Sequence, residues 1–177
     1  MRISFLMIFF GLSGLLYSNG AECQAQVKGK KTFYIVRHAE KDTGNNPAIS
    51  AAGKQRAGDL YSVLKNKNIT LIMATQYRRT GMTADSLRIY NKIDSIQYAA
   101  DATGDKLLEA VQTRTGDAKN ILIVGHSNTL PAIIRKLGVS SYTIKELPET
   151  QFDDLFVVTI KKGKATLQQL KYGKATL

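Results

Sequence analysis

Phe33 to Lys41 read FYIVRHAEK, an apolar run that breaks abruptly into charged residues. A short apolar run rich in β-branched and aromatic residues predicts a buried parallel strand. Arg37 and His38 stand at its carboxyl end, and open α/β sheets bind ligands in the crevice outside such ends. The stretch therefore predicts both the first strand of a sheet and part of a binding site.

Two further apolar runs end close to charged or titratable residues. Asn120 to Gly125, NILIVG, is followed by His126, the second of the two histidines in the chain. Ile69 to Ala74 is followed, one helical turn later, by Arg79. Because parallel strands place their carboxyl ends at one edge of a sheet, we expect these side chains to meet those that follow the first strand.

Helical patterns separate the strands. Ser50 is a good N-cap for a helix to about residue 66, whose apolar face leaves Arg56 in solvent. Thr75 is a candidate cap for a helix over 77–90. The remaining predicted elements are a short strand over 96–99, a helix over 105–112, a helix that begins at 127–129 and ends at 137, and a hairpin. The hairpin pairs 155–161 with 165–170 about a turn at Lys162-Gly163. Strands that alternate with helices predict an α/β fold, a three-layer α/β/α sandwich with a mostly parallel central sheet.

The chemistry of the predicted site suits an anion. Arginine offers a planar fork of donors that matches phosphoryl oxygens, and the backbone N–H groups of 127–129 can add to it. A metal site is not expected, since guanidinium groups repel a cation and no thiolate or carboxylate joins the histidines. Neighbouring cations also lower the pKa of an imidazole, so a neutral ring can act as a nucleophile on phosphorus.

The sequence resembles the histidine phosphatase superfamily, which includes the cofactor-dependent phosphoglycerate mutases. The resemblance runs from about Thr32 to the end of the chain. It is carried by four motifs in the same order as in the family: Arg37-His38-Ala39-Glu40, the helix segment SAAGKQRA at 50–57, the segment TQYRRTGMTA at 75–84, in which Arg79 rather than Arg78 aligns, and Val124-Gly125-His126-Ser127.

The resemblance implies roles for these residues. His38 is the expected nucleophile that becomes phosphorylated, Arg37, Arg79 and His126 hold the phosphoryl group, and no metal or organic cofactor is needed. Ser127 stands where the acidic branch of the family has its proton-donating aspartate. In the other branch the acid comes from the region after the third strand, where Asp101 and Asp105 lie. We expect Asp101 to be the general acid, with a loop or capping role as its alternative. In the family an asparagine often follows the first motif, but Gly44 has that spacing here.

The function that follows is hydrolysis of phosphomonoesters through a phosphohistidine intermediate, acting on a small phosphorylated substrate or a phosphorylated envelope component. Residues 26–177 leave no room for a cap domain, so hydrolysis is favoured over mutase activity. Two alternatives stay open. One is a hydrolase of phosphohistidine or acyl phosphates, which needs no strong general acid. The other is a non-catalytic module that binds phosphate or docks on the envelope.

Composition and the first residues bear on location and partners. The formal net charge of +11 favours anionic partners, yet no basic block with interleaved aromatics predicts a nucleic-acid surface. Residues 1–25 contain an apolar segment at 5–17 and read as a secretory signal peptide. We therefore expect an exported monomer, periplasmic or extracellular. Cys23, the one cysteine, offers lipid attachment as the alternative to a freely soluble form.

Overall fold

The computed structural model describes residues 27–176, so the predicted signal peptide and Cys23 lie outside the described residues. Strands and helices alternate through the described part until a final hairpin. The elements are β1 (Lys31–Arg37), α1 (Ala51–Leu64), β2 (Leu71–Thr75), α2 (Arg78–Tyr90), β3 (Asp94–Tyr98), α3 (Asp105–Arg114), β4 (Asn120–Gly125), α4 (Leu130–Lys136), β5 (Asp154–Lys161) and β6 (Lys164–Lys171). Among residues 27–176, none of the helices is long and apolar enough to cross a membrane.

The strands form one six-stranded sheet in the order β3-β2-β4-β1-β5-β6. The four strands from β3 to β1 pair in parallel, whereas β5 runs antiparallel to both β1 and β6. The predicted, mostly parallel sheet is thus confirmed. The register places Arg37 beside Gly125, so the ends of β1 and β4 are level with each other.

Each face of the sheet is covered by one pair of helices. Along β4, Ile121 and Ile123 face the core beneath α3 and α4, while Leu122 and Val124 face the core beneath α1 and α2. Side chains that alternate between two buried faces explain why every residue from Ile121 to Val124 is apolar. The predicted three-layer α/β/α sandwich is confirmed, and its layers leave the carboxyl ends of the parallel strands accessible.

Helix α1 begins as predicted but buries more than its apolar face. The hydroxyl of Ser50 accepts a hydrogen bond from the backbone N–H of Gly53 at 3.2 Å. The expectation that Arg56 is solvated is wrong: it is 4% exposed. Its Nη2 lies 2.7 Å from a carboxylate oxygen of Glu40 and also donates to the carbonyl of Lys174 at 3.1 Å. This ion pair ties the loop after β1 to the end of the described chain.

Helix α2 is capped by a different residue from the one that the sequence suggests. The backbone N–H of Arg78 donates to Oδ1 of Asn46 at 3.1 Å, and Tyr77 at the N-cap contributes no side-chain bond. Thr75 does not cap the helix, because its hydroxyl is engaged with His126. The predicted hairpin is confirmed, with φ of 51° at Lys162 and 73° at Gly163, the left-handed conformation that a two-residue turn needs.

Candidate active site

The four predicted phosphate-site residues lie around one pocket of about 360 Å³ at the carboxyl ends of β1, β2 and β4. Parallel pairing of these strands brings together residues that lie far apart in the sequence. Arg78, which the motif comparison set aside, is exposed. The lining consists of Arg37, His38, Lys41, Tyr77, Arg79, Ala100, Asp101, Ala102, His126, Ser127, Asn128, Thr129, Glu146 and Glu149.

The ring of His38 is fixed in one tautomer. The residue is 3% exposed, and its backbone N–H donates to the carbonyl of Gly125 at 2.9 Å. Nδ1 lies 2.8 Å from the carbonyl oxygen of Ala39. Because a carbonyl only accepts, Nδ1 carries the proton and Nε2 keeps its lone pair. Burial, together with the nearby positive charges, lowers the pKa of His38 to about 3, so the ring stays neutral at neutral pH.

His126 is held from the opposite nitrogen. Its Nε2 lies 3.0 Å from the hydroxyl of Thr75, which lies 3.0 Å from the hydroxyl of Thr80. Thr80 in turn donates to the carbonyl of Tyr77 at 2.7 Å, which gives the chain of hydrogen bonds a direction. Nε2 therefore donates, and Nδ1 accepts from Nη2 of Arg79 at 3.4 Å. Burial and the two arginines lower the pKa of His126 to about 4.

Arg37 is held by the turn that precedes β5. Its Nη1 donates to the carbonyls of Pro148, Glu149 and Gln151 at 2.9, 2.8 and 3.2 Å. Its guanidinium carbon lies 4.1 Å from the centre of the Phe152 ring, within cation–π range. The guanidinium is thus held rigidly at the pocket, while its buried Nε makes no hydrogen bond with the described residues.

Arg79 approaches the pocket from the first turn of α2. Its guanidinium carbon lies 4.5 Å from the centre of the Tyr77 ring, and burial lowers its pKa. Like Arg37, it has a buried Nε that no described residue accepts from. Buried donors normally have a hydrogen-bond partner, so these Nε–H groups leave both arginines able to bind an anion.

Asp101, the predicted general acid, lies in the loop between β3 and α3 and lines the pocket. Its Oδ2 accepts from the hydroxyl of Thr103 and from the backbone N–H of Asp105. Its Oδ1 is buried and accepts no hydrogen bond from the described residues. The side chain therefore combines a local turn contact with a buried oxygen that has no hydrogen-bond partner among the described residues.

Sequence reasoning missed a second carboxylate. Glu149 binds Arg37 and also accepts a hydrogen bond from the hydroxyl of Ser127 at 2.8 Å. No sequence pattern in the segment 141–151 singles out this residue. Residues 100–102 also line the pocket, whereas none of residues 42–47 does. Asn46 instead serves as the cap of α2 described above.

The donor set at the pocket does not resemble a metal centre. Within residues 27–176, no group of three or more histidine, cysteine, aspartate or glutamate side chains is arranged to hold a metal ion. The guanidinium groups of Arg37 and Arg79, both in the pocket lining, would also repel a cation. The arrangement suits an anion with several oxygens that lies against a neutral imidazole.

A scan against protein-family models finds no match, and a search among curated proteins finds no significant match. Solved structures, in contrast, share the fold, a phosphoglycerate mutase-like α/β fold, as the sequence resemblance implied.

Three of these structures illustrate the likeness. A proposed phosphohistidine phosphatase SixA from Nakamurella multipartitia has a TM-score of 0.62 at 17% identity, over 82% of this chain and 98% of that one. The alpha-ribazole phosphatase from Shigella flexneri has a TM-score of 0.60 at 14% identity, over 79% and 96%. The mycobacterial glucosyl-3-phosphoglycerate phosphatase has a TM-score of 0.59 at 13% identity, over 81% and 100%.

Proposed function

We propose that the chain is a phosphatase that transfers a phosphoryl group first to Nε2 of His38 and then to water. In the first step Nε2 attacks phosphorus and the bond to the leaving group breaks. In the second step water attacks phosphorus, the P–N bond breaks, and orthophosphate leaves. The observation that carries this proposal is the hydrogen bond between Nδ1 of His38 and the carbonyl of Ala39, at 2.8 Å, which leaves Nε2 as a free nucleophile among cationic groups.

The surrounding residues have complementary roles in this proposal. Arg37 and Arg79 spread the negative charge that grows on the phosphoryl oxygens. His126 starts neutral, but a dianion beside it favours its protonated form, which makes Nδ1 a further donor. The shared fold and the phosphatases among the neighbouring structures support this assignment. Hydrolysis requires no partner protein, and we propose a monomer that acts on a small phosphorylated substrate.

We propose Asp101 as the proton donor to the leaving group, because it is a carboxyl group of the pocket with an unengaged oxygen. Asp101→Asn should slow an alkyl phosphate at least tenfold more than an aryl phosphate, since the better leaving group needs less protonation. Asp105→Asn, a change at an exposed neighbour that pairs with Lys136, is the matched control. Equal rates of wild type and Asp101→Asn on both substrates would contradict this role.

That outcome would favour the second candidate, a hydrolase of phosphohistidine or acyl phosphates. The leaving groups of such substrates depart readily without protonation by a strong acid. The neighbour from Nakamurella multipartitia, described as a proposed phosphohistidine phosphatase, supports this candidate.

The decisive experiment uses the fact that the chain has two histidines. His38→Ala should abolish turnover of an aryl phosphate and should prevent formation of an acid-labile, alkali-stable phosphoenzyme. His126→Ala should slow turnover but still allow His38 to be labelled. If wild-type protein gives neither turnover nor phosphoenzyme with any phosphorylated substrate, the pocket is instead a non-catalytic phosphate-binding or envelope-docking module.

We also propose that residues 1–25 export the protein to the periplasm or beyond the cell. The apolar segment at 5–17 supports this, as does a net charge of +11, which suits a phosphorylated envelope component. Fusion of residues 1–25 to a reporter that is active only after export tests the signal. Mass measurement of the secreted product distinguishes a free terminus from lipid on Cys23.

A further inference from the structure

The proposed phosphoryl pocket contains a carboxylate that already binds one of its arginines. Oε2 of Glu149 lies 2.6 Å from Nη2 of Arg37, and Oε1 accepts the hydroxyl hydrogen bond of Ser127 at 2.8 Å. The bond from Ser127 and the charge of Arg37 lower the pKa of Glu149, so it is ionised at neutral pH. The pocket thus holds a negative charge at a donor that a phosphoryl group would use.

The two partners of this ion pair differ in how firmly they are held. The side chain of Arg37 is 4% exposed, whereas that of Glu149 is 75% exposed. Three backbone carbonyls and the ring of Phe152 hold the guanidinium independently of the Glu149 carboxylate. The carboxylate can therefore rotate into solvent while Arg37 stays in place.

From this asymmetry we propose that Glu149 determines affinity in the phosphoryl pocket, because its carboxylate competes with the phosphoryl group for Arg37. The proposal rests on the phosphoryl pocket of the proposed function. A bound dianion displaces Glu149 and takes over its bond with Nη2. Orthophosphate binds weakly, since it offers no contact beyond the phosphoryl group to offset the displacement. Substrates with further contacts bind better, and the product leaves readily.

Glu146 provides a matched control for this competition. It lines the same pocket and attracts Arg37 through its charge at longer range. Glu146→Gln therefore removes one negative charge from the pocket without removing a direct bond to Nη2. A purely electrostatic effect of pocket charge should appear in both glutamate variants, whereas direct competition should appear at Glu149.

The test is calorimetric titration of the full chain with orthophosphate. Loss of a charged hydrogen-bonding competitor should lower the dissociation constant about tenfold in Glu149→Gln. Glu149→Ala, which removes the amide as well, should bind at least as tightly, and Glu146→Gln should change binding by about twofold or less. Thermal unfolding of each variant verifies that the fold is intact. Unchanged or weaker binding in both Glu149 variants, or an equal gain in Glu146→Gln, would overturn the proposal.

Turnover measured on the same samples separates this inference from the proposed function. Tighter orthophosphate binding in Glu149→Gln without any phosphoenzyme in wild type would support competition and reject the phosphatase. A wild-type phosphoenzyme at His38 without any gain in orthophosphate binding in the Glu149 variants would support the phosphatase and reject competition.

Discussion

The rings of His38 and His126 meet edge to face, with centroids 5.3 Å apart and an angle of 62° between their planes. The carbonyl of Ala39 binds Nδ1 of His38, whereas His126 is bound at both nitrogens, by the hydroxyl of Thr75 at Nε2 and by Arg79 at Nδ1. Two imidazolium rings at this separation would repel each other, and the adjacent arginines add to that repulsion. The contact therefore favours a pair of neutral rings.

Neither histidine should titrate near its ordinary pKa of about 6.5. The pKa values lie at about 3 for His38 and about 4 for His126, because burial disfavours the charged rings. With two histidines in the chain, the imidazole signals in a nuclear magnetic resonance spectrum can be followed individually. We expect both signals to stay constant from pH 8 to pH 5. A midpoint near 6.5 for either ring would contradict this electrostatic description of the site.

The same depressed pKa values predict that acid destabilises the fold. Below pH 6.5 the unfolded chain binds protons at its histidines while the folded chain does not, so the free energy of unfolding falls as pH falls. At pH 5 this loss is about 2 kcal/mol for each buried histidine. Denaturant unfolding in phosphate-free buffer at pH 7.5 and pH 5 measures it. In His126→Gln the difference in unfolding free energy between pH 7.5 and pH 5 should be roughly half that of the wild type. An undiminished difference would assign the effect to other groups.

Thr75 should position His126 rather than contact the substrate. Thr75→Val keeps the side-chain volume but removes the hydroxyl acceptor of Nε2–H, which leaves a buried donor unsatisfied. We expect kcat to fall about tenfold, since a misplaced group costs about this much or more, with KM less affected. Nitrogen chemical shifts of His126 should report a change of tautomer, and Thr75→Ser should restore both readouts.

Thr113→Val is the control for that substitution. Thr113 donates to a backbone carbonyl on α3, away from the pocket, and is exposed. It should leave kcat and the shifts of His126 unchanged. If Thr75→Val lowers stability but alters neither the shifts nor kcat, its hydroxyl has only a structural role.

The partly buried ion pair of Arg56 and Glu40 should be a major contributor to stability. Arg56→Met leaves the Glu40 carboxylate, 21% exposed, without its partner and should lower the free energy of unfolding by about 3 kcal/mol. Arg88→Met breaks a pair with Asp85 whose side chains are 43% and 42% exposed, and should cost about 0.5 kcal/mol or less. Chemical denaturation compares the two. Equal losses would show that burial does not distinguish these pairs.

These residues show how far the sequence predicts the molecule. The sheet and the meeting of Arg37, His38, Arg79 and His126 could be predicted, because apolar runs and the parallel-strand rule act through local pattern and simple topology. Arg56 was misread because helical periodicity gives the face of a residue but not the loop that will cover it. A hydroxyl that caps a helix and one that binds a distant imidazole look alike in sequence, so Thr75 was misassigned.

Glu149 was missed for a different physical reason. It belongs to an irregular segment without periodicity, and its position depends on a turn whose carbonyls bind Arg37 from 111 to 114 residues away in the chain. Only the assembled fold defines that contact. Residues that complete a site from such loops are the part of a candidate site that pattern reasoning finds last.

Two glycines of α1 give opposite predictions for the same substitution. A Cβ added at Gly53 would lie 2.1 Å from the backbone oxygen of Glu40 and 2.9 Å from Cβ of Ile49, whereas one added at Gly58 would meet nothing within 4 Å. Gly53→Ala must displace the backbone two residues after His38, so we expect a loss of about 3 kcal/mol in unfolding free energy, together with a fall in kcat.

Gly58→Ala should raise the free energy of unfolding by about 0.5–1 kcal/mol, because alanine favours the helix and no contact opposes it. Denaturant unfolding and steady-state turnover of both variants test the pair. If Gly53→Ala changed neither the unfolding free energy nor turnover, α1 would be able to shift away from the loop after β1 without cost. In that case the close packing of α1 on Glu40 would not fix the position of the loop that follows His38.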